Sequence, residues 1–174
     1  MAEVESIKYS SDYQKITIRL SELVSNATLH ISYCIEENTP LSYISCNPIE
    51  LVGISTIEVN VASDMIVPVD GSNTYPFANG LADGIYKFEL VIGEDTLTEI
   101  RLFARDVKNI IYKMLLNSTY PRKSYDDLWI DEVFMLFGIY KGLVYNAVAG
   151  QEENVMNILK DLKQSCLKVS SLIP

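Results

Sequence analysis

The 174 residues include 14 Lys and Arg against 23 Asp and Glu, a formal net charge of −9, and 48% are hydrophobic. That apolar content excludes a disordered tail or linker, and the length suits one domain with a sizeable core, or a domain with a packed helical appendage. The acidic balance argues against nucleic acid as the main partner, because phosphate binding needs a clustered basic face.

The chain opens on Met1-Ala2-Glu3-Val4-Glu5, acidic and without an apolar core, which predicts no signal peptide. Residues Lys15 to Leu20 then alternate, with Ile16, Ile18 and Leu20 on one face and Thr17 and Arg19 on the other. Thr28 to Ile35 repeats the pattern, setting Leu29, Ile31, Tyr33 and Ile35 against His30, Ser32 and Cys34. Ile57, Val59 and Val61 do so again around Glu58 and Asn60. A period of two predicts half-buried strands. Turn formers separate them at Ser25-Asn26, Glu37-Asn38-Thr39-Pro40, Asn47-Pro48 and Ser63-Asp64. Their spacing, with no crossover helix before Asp106, predicts an antiparallel β-sandwich over residues 1–105.

Pro68 to Gly84 is the longest turn-rich stretch, and Tyr75 and Phe77 stand at its centre. A loop of this length in a compact domain usually binds something or moves, which makes those two rings candidates for a partner contact, with a loop packed on itself as the alternative. Ile85 to Ile92 and Thr96 to Ala104 then form a predicted hairpin across Gly93-Glu94-Asp95.

The period changes at Asp106, a predicted N-cap. Val107, Ile110, Ile111, Met114 and Leu115 recur at helical spacing. Ser124-Tyr125-Asp126-Asp127 reads as the capping signal of a second helix running to about Ala149, with Gly150 as its stop. Leu128, Trp129, Val133, Phe134, Leu136, Phe137 and Tyr140 leave that helix apolar on nearly all sides. One hairpin partner cannot cover so much apolar surface, so Trp129, Phe134 and Phe137 are candidate interface residues. Val133 to Ala149 falls short of the ~20 residues that span a bilayer and contains Lys141, so no membrane span is predicted. A third helix from about Gln151 carries Val155, Leu159, Leu162 and Cys166 as one apolar seam. The expected class is therefore α+β: a sandwich, then a helical region of about three helices over residues 106–174.

Nothing in this pattern predicts catalysis, a cofactor or a metal. His30 is the only histidine, and it falls on a strand with no nucleophile elbow nearby. Cys34, Cys46 and Cys166 lack metal-ligand spacing. They read as buried, reduced thiols in a cytoplasmic setting, with a Cys34–Cys46 disulfide as the alternative. Asp126, Asp127, Asp131 and Glu132 are the densest carboxylates, better read as a capped and solvated first turn than as a metal site.

Asp83-Gly84-Ile85-Tyr86-Lys87-Phe88-Glu89-Leu90, followed by Thr98-Glu99-Ile100-Arg101-Leu102-Phe103 and an abrupt helix start at Asp106-Val107, resembles the small virion structural proteins of tailed, crAss-like bacteriophages. The resemblance covers residues 83 to 165 in pattern. It implies a non-enzymatic subunit of a homo-oligomeric neck or tail ring, assembled in the host cytoplasm and contacting neighbouring virion proteins. An acidic subunit of that kind could surround a DNA passage without adhering to it. The alternative from the residues alone is a monomeric adaptor or chaperone-like module whose helical hairpin docks on one partner.

Overall fold

The computed structural model describes residues 2–35, 43–65, 77, 80–119, 127–146 and 150–171, with side chains at all of these except 116–119, 127–131, 145 and 146. The chain divides into two compact units, Met1–Arg101 and Leu102–Pro174.

The first unit is built on one long strand. In chain order its strands are β1 (Val4–Tyr9), β2 (Lys15–Ile35), β3 (Ile44–Ser45), β4 (Ile49–Asn60), β5 (Gly84–Ile92) and β6 (Asp95–Phe103), whose last two residues belong to the second unit; a short α1 (Val61–Asp64) follows β4. Among the described residues the six strands form one sheet, ordered β1-β2-β5-β6, with β3 and β4 also pairing β2. Lys15 to Leu20 of β2 ladder with β1 on one edge and β4 on the other, and Thr28 to Ile35 ladder with β5, every pair antiparallel. The sheet is curled into a half-barrel, and no second sheet faces it among the described residues. The α+β class and the antiparallel pairing hold at that level, without the paired sheets of a sandwich.

Alternation explains the core. Ile16 sits opposite Val59 and Ile18 opposite Ile57, while Leu29, Ile31 and Tyr33 sit opposite Leu90, Phe88 and Tyr86. All ten are buried. At the end of β2 the alternation fails, because Ser32 and Cys34 are buried along with their neighbours. Both faces are covered there, contrary to the polar outer face expected at those positions.

The sequence pattern predicts two strands separated by a turn at Ser25-Asn26, where the structure has the single strand β2. The β2–β4 register slips between Arg19–Thr56 and Val24–Ile54. Leu20 to Leu23 therefore face the single residue Ser55, and the extra residues form a bulge that bends the strand and leaves the ladder otherwise intact. A bulge of this kind interrupts alternation without ending the strand, so it mimics a turn in sequence.

The β1–β2 turn is a local hydrogen-bond network. The Asp12 carboxylate accepts from Ser10 Oγ and from the Gln14 amide, while Ser10 Oγ accepts from the Lys15 amide. Tyr13 adopts φ +60°, and its carbonyl accepts the Leu81 amide at 2.9 Å. Gly80 approaches this carbonyl so closely that a Cβ there would stand 2.6 Å from the oxygen, and its φ is +96°. Only glycine fits that approach.

The second unit holds α2 (Arg105–Thr119), α3 (Asp127–Asn146) and α4 (Glu152–Ser170), which pack pairwise. The Ala104 carbonyl accepts the Lys108 amide, so Asp106 stands inside the first turn of α2 and is not its N-cap. There its charge still favours the helix dipole. The capping signal predicted at Ser124 to Asp126 lies outside the described residues. Val107, Ile111 and Met114 of α2 are wholly buried. Alpha-helix α4 buries Val155, Met156, Leu159, Leu162, Cys166 and Val169, the predicted seam with two further members. Each such side chain contributes about 1.5–3 kcal/mol when fully buried.

Candidate functional site

Helix α3 has two unlike apolar faces. Val133, Leu136, Tyr140 and Leu143 recur at spacings of three and four and are buried. Phe134, Met135, Gly138 and Ile139 occupy the other side, and all four are exposed, with Phe134 52% exposed. With 3.6 residues per turn these sets lie on opposite faces. One face is therefore core and the other is an apolar surface in water.

That surface continues onto α2. Phe137 is half-buried and meets the Tyr112 ring edge to face, centroids 5.8 Å apart, and Tyr112 is itself exposed. Lys141 Nζ stands 4.7 Å from the centroid of Phe137, and Lys108 Nζ 5.8 Å from that of Tyr112. Cations over ring faces are held by the ring quadrupole. The result is an aromatic patch with an ammonium group on each helix.

The other sequence-predicted contact residues fare differently. Phe77 is only 3% exposed. Its ring packs edge-on against Tyr33 at 4.8 Å and near Tyr86 at 6.2 Å, so it belongs to the core of the first unit and is not a surface contact. Tyr86 beside it donates its hydroxyl to the Ala82 carbonyl at 2.6 Å, and burial pushes its phenol well above the ordinary range. Tyr75 lies outside the described residues. Trp129 falls in the first turn of α3, with its side chain outside the described set.

No family model, curated protein or solved structure matches this chain.

The remaining chemistry is sparse. His30 is exposed on β2, opposite Glu89. All three cysteines are buried thiols; burial pushes Cys46 up to about 12 and Cys166 up to about 11. Thiols held neutral in this way are poor nucleophiles. Among the described residues no three His, Cys, Asp or Glu side chains group as metal ligands, and no helix is long and apolar enough to cross a membrane.

Two further exposed apolar side chains were not anticipated from the sequence. Leu23 is 68% exposed in the β2 bulge, and Val52 is 78% exposed on β4, opposite Asn26. The interruption of alternation around Ser21 to Ser25 was the available signal, and it reads equally well as a turn.

Proposed function

We propose that this protein is a non-enzymatic structural subunit that associates with copies of itself, as a ring component in the neck or tail of a tailed bacteriophage. The observation that carries the self-association is the outer face of α3, where Phe134, Met135 and Ile139 are exposed. Large apolar groups clustered on one face, with a cationic rim, are the composition of an interface centre. The phage setting rests on the resemblance of residues 83 to 165, and virion neighbours would be its other partners. A ring subunit of this kind needs rigid units and surfaces buried on assembly, and no active site.

Native mass spectrometry tests this reading. The expected result is a homo-oligomer, formed by the chain alone or once a portal or tail protein encoded beside it is added. A chain that stays monomeric in both conditions, or that binds one partner one-to-one and is missing from finished particles, would overturn it in favour of the adaptor.

A further inference from the structure

Strand β6 ends the path β1-β2-β5-β6, and among the described residues β5 is its one neighbour in the sheet. An outer edge of this kind is a row of backbone donors and acceptors on which another chain can add a strand. The joint with β5 fixes which residues form that row. β5 ends at Ile92 and β6 begins at Asp95, so the turn is the pair Gly93-Glu94, with Gly93 at φ +61°. A two-residue turn makes Ile92 and Asp95 a hydrogen-bonded pair, and antiparallel pairing alternates from there. Leu97, Glu99 and Arg101 therefore turn their amides and carbonyls to β5, opposite Leu90, Phe88 and Tyr86. Thr96, Thr98 and Ile100 turn theirs to the outer edge.

Arg101 Nη1 donates to the Ile100 carbonyl at 3.0 Å, an outward acceptor that an added strand would need. The same nitrogen donates to Glu99 Oε2 at 2.8 Å, and Arg101 and Glu99 keep 38% and 33% of their side-chain surface in water. Both lie on the face where Phe88 and Tyr86 are buried, at positions where alternation calls for apolar residues. We propose that this ion pair is an edge guard: it occupies an edge carbonyl and sets two charges on the core side of the margin, so that β6 does not accept a further strand. An incoming strand would displace Arg101 from Ile100 and strip water from both charges, and desolvating an ion pair can cost more than its attraction returns. Inward-pointing charges on an edge strand are a recurrent protection against sheet-to-sheet pairing. The guard goes beyond the proposed self-association and directs it: copies join without extending the sheet at β6.

Glu99→Thr with Arg101→Thr removes the guard, keeps strand-forming residues and leaves the net charge unchanged. Adding Thr98→Lys, at an exposed position, puts a lysine back on the edge. Circular dichroism like that of wild type shows that the variants fold; should the double variant not fold, Arg101→Thr alone, which frees the Ile100 carbonyl, is read in the same way. Amide hydrogen exchange over a dilution series reads strand addition directly, through the outward amides of Thr98 and Ile100. In wild type their exchange is expected to be fast and independent of concentration. In the guard-free variant it should slow by about tenfold as concentration rises, with larger species on a sizing column, and Thr98→Lys should reverse both. Exchange and mass equal to those of wild type, slowing that Thr98→Lys leaves in place, or slowing already present in wild type would each overturn the guard. A monomeric wild type with fast exchange would overturn the self-association and leave the guard standing.

Discussion

Gly80 and Gly138 are chemically identical and should respond oppositely to the same substitution. At Gly80 an added methyl collides with the Tyr13 carbonyl, and the backbone has positive φ. Gly80→Ala is expected to lower stability by more than about 1 kcal/mol in urea denaturation. At Gly138, inside α3, a Cβ would meet nothing within 4 Å, so Gly138→Ala should raise stability by about 0.5–1 kcal/mol. Neither role is legible in sequence, because what decides it is a neighbour distant along the chain. Asp12 is different, since its partners are local. Ser10 Oγ and the Gln14 amide hold its carboxyl below the ordinary value of 3.8. A depressed carboxylate stabilises the fold above the unfolded value and loses that contribution as pH falls through the folded one. Asp12→Asn should therefore flatten the acid limb of the stability profile below pH 3.8. The buried thiols give a third test at this scale: iodoacetamide should label none of Cys34, Cys46 and Cys166 in the native protein and all three in denaturant. Rapid native labelling of any one would contradict its burial.

At the scale of elements, periodicity served where the chain pairs regularly. Ile16 and Ile18, Leu29, Ile31 and Tyr33, and the α4 seam all fall where alternation or helical spacing places them. It failed where pairing is offset. The break at Ser21 to Ser25 looks like a turn because both a turn and a bulge suspend alternation, and only the partner strand β4 distinguishes them. It failed again for Phe77, since a loop aromatic between turn residues carries no sign that two tyrosines of distant strands enclose it. The two faces of α3 were legible only together, as excess apolar surface; α2 and α4 determine which face is core. Substitution separates them. Leu162→Ala on α4 removes a side chain that is 3% exposed and should cost about 2–5 kcal/mol. Phe134→Ser on the outer face should change the stability of the monomer by no more than about 0.5 kcal/mol. Comparable losses at both positions would mean that the outer face of α3 is core.

For the whole molecule, net charge alone concealed the important distribution. The −9 belongs to the β unit, while the helical unit is close to neutral with lysines beside its exposed rings. The aromatic patch provides apolar surface that association would bury. The account stands or falls on whether this chain associates with itself. Sedimentation velocity of the wild type across a dilution series measures that directly. The account predicts boundaries at multiples of 19.6 kDa that grow with concentration, for the chain alone or once a portal or tail protein encoded beside it is added; one species of monomer mass at every concentration in both conditions would contradict it.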